Sequence, residues 1–128
     1  MSYHFSKTVS MPFHEAIERV TEALKENGFG VLTTIDVKAT LKNKIDVDFR
    51  PYTILGACNP KFAYQALQSE DKIGAMLPCN VVVQQTDDGR VEVSAVDPVS
   101  SMQAVDNPAL GGIARQVQEL LKATIDDL

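Results

Sequence analysis

Cysteine and histidine are both scarce in this 128-residue chain, with two of each. Two cysteines are too few for a disulfide framework, and Cys58 and Cys79 do not form the closely spaced Cys-x-x-Cys motif. In an intracellular chain they are expected to stay reduced unless they work as a redox pair. With two sulfurs and no nearby histidine, a tetrahedral zinc site is incomplete unless a dimer supplies the remaining ligands, so no metal is expected. Positive charge is also short: Lys and Arg total 12 against 17 Asp and Glu, a net charge of -5. Such a surface repels nucleic acid and anionic lipid, and neither is expected as a partner without a strongly segregated basic face. No stretch approaches the roughly 20 apolar residues of a membrane span. The start, Met1 to Lys7, lacks the apolar run and cleavage site of a secretory signal, so the cytoplasm is the expected compartment. Internal repeats and low-complexity tracts are missing too.

What is present is an ordinary globular composition, with 45% hydrophobic and 23% charged residues. The length suits one domain over 1–128, with a single core.

Tyr3 to Val9 alternates in part and is rich in β-formers, which predicts a first strand. Phe13, Ile17, Val20 and Leu24 recur at helical spacing, and Asn27-Gly28 supplies a stop. Val31 to Ile35 reads as a strand, followed by a short helix capped by Asp36 and running through Leu41 or Lys44. Asn43 to Pro51 reads as a connector from which Val47 and Phe49 pack down, and Tyr52 to Ala57 as a buried strand. Asn59-Pro60 is a good helix entry, because the amide oxygen can accept from an orphan N–H and proline suits the first helical position. That helix carries Phe62, Ala63, Ala66 and Leu67 on its apolar side.

Cys79 to Gln85 predicts a strand with Cys79, Val81 and Val83 on one face. Asp87-Asp88-Gly89 turns the chain into a second strand from Arg90 to Val96, with Val91, Val93 and Ala95 inward. After Asp97-Pro98 a loop is expected to Asp106, then a last helix from about Asn107 with Ile113, Val117, Leu120, Leu121 and Ile125 as its stripe. The expected fold class is α+β: a mostly antiparallel curved sheet, long N- and C-terminal helices on one face, order β-α-β-(α)-β-α-β-β-α.

The dipeptide Cys-Asn occurs twice, at Cys58-Asn59 and Cys79-Asn80, each beside a proline. If Asn59 caps a helix, Cys58 lies just before open amides that favour a thiolate, yet a cysteine ending an apolar run is also a small buried hydrophobe. Cys79 shares its face with Val81 and Val83, so an inward thiol is the simpler reading. His4 and His14 have no spacing to either cysteine that suggests a nucleophile and base, and are read as solvated. Asp46 and Asp48 lack the glycine and distal glutamate of a calcium loop. Gly111-Gly112 offers either open amides for an anion or close helix packing. Lys38, Lys42, Lys44 and Arg50 form the one basic cluster, read either as a solvated face or as help for an anionic ligand.

The blocks Asp48-Phe49-Arg50-Pro51-Tyr52, Ile54-Leu55-Gly56-Ala57-Cys58-Asn59-Pro60, Leu77-Pro78-Cys79-Asn80-Val81-Val82-Val83 and Asp97-Pro98 together resemble the domain-of-unknown-function family numbered 302, over almost the whole chain. The resemblance implies a small α+β domain similar to TATA-binding-protein-like folds, and a homodimer. It implies no reaction, no cofactor and no catalytic residue, and a fold likeness does not bring DNA binding with it.

Three functions compete. The first is a binding or regulatory module, with a small-molecule ligand in a cleft near the two Cys-Asn segments and Arg50, Tyr52, Asn59 and Asn80 as ligand-binding candidates. The second is thiol chemistry, with Cys58 as nucleophile and Cys79 as resolving partner. The third is a homodimeric interaction domain, hinted at by Val82 and Val96, which are apolar on faces otherwise polar.

Overall fold

Alternation in three central strands and helical spacing in two long segments meet in one core, visible in a computed structural model that describes residues 2–128. The elements are β1 (His4–Val9), α1 (Phe13–Glu26), β2 (Gly30–Asp36), α2 (Val37–Ile45), β3 (Tyr52–Cys58), α3 (Pro60–Ser69), a 3-10 turn at Ile73–Met76, β4 (Cys79–Gln85), β5 (Val91–Val96), α4 (Pro98–Ser101) and α5 (Ala109–Asp126). The strands form one five-stranded curved sheet in the order β1-β5-β4-β3-β2, with every neighbouring pair antiparallel. This is the expected α+β class.

Successive strand residues point to opposite faces, so register decides which side each serves. Phe5, Ala95, Val81 and Leu55 lie in one row across the sheet, and Lys7, Val93, Val83 and Thr53 in another. These rows face the helices. Leu55, Val81, Val83 and Val93 are fully buried there beside Val20 and Leu24 of α1 and Leu121 of α5. Each such side chain stabilises the fold by roughly 1.5–3 kcal/mol relative to exposure.

Helix α1 buries Ala16, Val20, Ala23 and Leu24, one face of a helical period. Its stop is local. Phe29 N–H donates to Leu24 O at 2.9 Å and Gly28 N–H to Lys25 O at 3.1 Å, with Gly28 at φ +87. A left-handed glycine followed by a buried apolar residue closes the helix without a Cβ penalty. Helix α5 buries Leu110, Ala114, Val117, Leu121, Thr124 and Ile125, and the Thr124 hydroxyl donates to Leu120 O at 2.8 Å, which satisfies a buried polar group.

Four local expectations change. Helix α2 runs to Ile45, three residues into the expected connector, and none of its residues is buried. Val47 and Leu67 are exposed rather than packed, because α2 lies at the end of the sheet and the α3 face bearing Leu67 meets water. The expected loop after Asp97 begins with the single-turn α4. There the Asp97 carboxylate accepts from Val99 N–H at 3.0 Å and from Gln118 Nε2 at 3.0 Å, which ties the turn to α5.

The second face of the sheet has no helix of α1, α3 or α5 against it. The row Ser6, Ser94, Val82, Ile54, Ile35 lies there, flanked by His4 and Val96 on one side and by Glu92, Gln84 and Tyr52 on the other.

Candidate functional site

The two Cys-Asn dipeptides meet where β3 ends beside the start of β4. Ala57 pairs with Cys79 and Gly56 with Asn80, so Cys58 is one residue along from the direct partner of Cys79. Close packing here depends on Gly56. A Cβ at that position would lie 2.1 Å from Thr33 Oγ1 and 2.7 Å from the Pro78 ring, closer than side chains approach. Asn59 then caps α3 as expected: its side chain accepts from Phe62 N–H at 3.4 Å, with Pro60 in the first turn.

Cys58, Asn59 and Cys79 line one apolar cavity between the sheet end, α3 and α5, closed by Phe62, Met102 and Val117. Its volume is about 30 Å³. An apolar cavity of about 150 Å³ is what accommodates benzene, so this one has room for no more than a methyl-sized group. Burial pushes the Cys58 thiol up. Cys79 is pushed up to about 11, first by burial and then by the charge Cys58 would carry. The open amides of α3 therefore do not give Cys58 a lowered pKa, because loss of water around the sulfur dominates. Both cysteines are unbridged.

Arg50, Tyr52 and Asn80 go to the other side of the sheet. Tyr52 and Asn80 line an open groove of about 450 Å³ together with His4, Val82, Gln84 and Val96. That volume is within the range of small-molecule sites. Arg50 is held at its edge: Nε donates to Gln84 Oε1 at 2.9 Å, and the guanidinium lies 4.4 Å from the Phe49 ring centroid and 5.5 Å from that of Tyr52. Gln84 Nε2 reaches Glu92 Oε1 at 3.5 Å. Across the groove, Ser6 Oγ bonds both His4 Nδ1 and Ser94 Oγ, each at 2.7 Å.

The basic cluster seen in the sequence is dispersed. Lys42 pairs with Asp46 at 2.8 Å and Asp48 at 3.3 Å, which raises its pKa, first through Asp46 and then through Asp48. Arg50 reaches the sheet through Gln84 of β4, and it makes no ion pair among the described residues. Among those residues no group of three His, Cys, Asp or Glu side chains is placed to hold a metal, and no helix is long and apolar enough to cross a membrane.

Six candidates from the sequence thus divide into two sets of three, Cys58, Asn59 and Cys79 against Arg50, Tyr52 and Asn80. His4, Gln84, Glu92 and Ser94 join the second set without having been picked out. The available signal was the alternation of Glu92, Ser94 and Val96, but only strand pairing places His4 and Gln84 beside them.

A family model for a domain of unknown function, DUF302, matches residues 5–128. A crystal structure of an uncharacterized conserved DUF302 protein from Bacillus stearothermophilus superposes with a TM-score of 0.91 at 35% sequence identity, over 98% of each chain. No functionally curated protein matches the sequence.

Proposed function

The chain belongs to the DUF302 family, a family defined without a reaction, and from that premise we propose a binding or regulatory module whose small-molecule ligand occupies the groove on the open sheet face. The observation that carries this reading is the gathering of Tyr52, Asn80 and Gln84 on one groove of about 450 Å³ with Arg50 held at its edge, against about 30 Å³ behind the cysteines. The groove also has the composition of a ligand site, with an apolar floor at Val82 and Val96 and convergent polar groups from His4, Tyr52, Asn80 and Gln84.

The test is a titration of the ¹⁵N-labelled protein with a small-fragment library. Saturable shifts are expected at the amides of Asn80, Val82, Gln84 and Ser94, and they should weaken in Val82→Lys. Shifts confined to Cys58 and Phe62, or no saturable shift at all, sink the proposal.

A second reading uses the same surface. Val82 and Ile54 are only partly covered and Ile35 is 46% exposed, so one row of the open face presents three apolar side chains that a second copy could cover as a homodimer. Sedimentation over a range of concentrations separates the two readings. A dimer that Val82→Lys converts to a monomer supports face-to-face association, whereas a monomer throughout leaves the groove open to ligand. The thiol reading is supported by the two sulfurs sharing a cavity and opposed by the raised pKa of each.

A further inference from the structure

Among the described residues Arg50 is the cation held at the groove edge, and it makes no ion pair there. Its Nε is taken by Gln84, its planar face is stacked on Phe49 and Tyr52, and its two terminal nitrogens donate to no acceptor among the described residues. A guanidinium held in this way keeps the fork of donors that matches a carboxylate. The side chain is half-buried, so the charge is less screened than on an open surface.

The neighbours limit the anion. Glu92 is one hydrogen bond away through Gln84, and the chain carries a net charge of -5. A second negative charge on the ligand would meet that carboxylate, while a single one can be taken up by Arg50. Beyond Gln84 the next β4 side chain on this face is the apolar Val82. Anchor, neighbouring repulsion and floor therefore describe one kind of molecule.

We infer that the groove takes a small monocarboxylate with an apolar body, its carboxylate gripped by the Arg50 terminal nitrogens at the groove edge and its body over Val82. This rests on the open face being the binding site, and it adds the chemical class and the anchoring residue. Phe49 and Gln84 are positioning residues, since they act through Arg50.

The test compares benzoate with benzamide, its neutral isostere, by chemical-shift titration of the full chain. Benzoate should bind about tenfold or more tightly than benzamide, because a hydrogen bond to a charged partner exceeds a neutral one by that order. In Arg50→Gln the preference should vanish, and in Arg50→Lys, which keeps the charge and loses the fork, it should fall between. Unchanged spectra for residues far from the groove show that each variant is folded. Equal binding of benzoate and benzamide, or a preference that survives Arg50→Gln, overturns the carboxylate inference while fragment binding at the groove still stands. Inorganic phosphate displacing benzoate at equal concentration overturns it too, since the apolar body would then contribute nothing. If no fragment binds at the groove, both readings fail together.

Discussion

Cys79 and Asn80 are neighbours in the chain, yet they serve opposite sides of the sheet: Cys79 lines a small apolar pocket of about 30 Å³ on the side closed over by helices, and Asn80 a groove of about 450 Å³ on the open face. The helix-covered side is filled by Leu, Val and Ala from sheet and helices, and the Cys79 sulfur is buried among them while Cys58 is half-buried. The open side keeps its polar groups in hydrogen-bonded chains, Arg50 to Gln84 to Glu92 and His4 to Ser6 to Ser94, with no layer of helices above them. The difference teaches that a repeated motif need not be a site. Both copies of Cys-Asn stand at one strand junction, where Cys79 belongs to the buried core and Cys58 is half-buried beside it.

The contrast is sharpest in packing. Leu55→Ala on the closed side should cost about 2–5 kcal/mol in urea unfolding, whereas Val82→Ala on the open side should cost about 1 kcal/mol or less. Equal losses would mean that the open face is also core. Alkaline pH provides the next test. The folded Cys79 thiol keeps its proton up to about 11 while the unfolded one releases it near 9, so the unfolded state loses its proton first and stability falls as pH rises across that window. The loss should reach about 2 kcal/mol by pH 10.5 and flatten in Cys79→Ala, measured by unfolding at pH 8, 9 and 10.5. Thiol labelling should follow the same logic, slow for both cysteines at pH 7.5.

Gly56 joins the two sides, and Gly56→Ala should destabilise by about 1–3 kcal/mol through overpacking. Adding Thr33→Ala removes the hydroxyl that the new methyl meets first but leaves the Pro78 ring, so about half of the loss or more should persist. Full recovery would show that the proline gives way. The smallest change in stability is expected at Arg50. Arg50→Gln removes two cation–π contacts and should cost about 1 kcal/mol at most, while abolishing the benzoate preference. A large stability loss there would make Arg50 structural and erase the distinction between the faces.

Much of this was legible in the residues. Helix α1 with its Asn27-Gly28 stop, the Asp36 and Asn59 caps and the inward set Cys79, Val81 and Val83 follow from local periodicity and capping chemistry. The single turn α4 was not legible, because Asp97 is held partly by Gln118 from a distant helix. His4 is exposed, as read, but its place in the groove was not legible for a related reason: its neighbours Val96 and Asn80 come from other strands.

The sequence by itself determined the five strands, the long helices α1 and α5, the Asp36 and Asn59 caps and the inward faces of β4 and β5, since these depend on residues a few positions apart. Only the tertiary structure decided that Cys58 and Asn59 open on one side of the sheet while Arg50, Tyr52 and Asn80 gather on the other. Register between strands is a long-range quantity: it brings Arg50 to Gln84 and His4 beside Val96, and no local spacing encodes it. It also decided the state of the thiols, because desolvation depends on what packs around a sulfur rather than on the residues beside it in the chain.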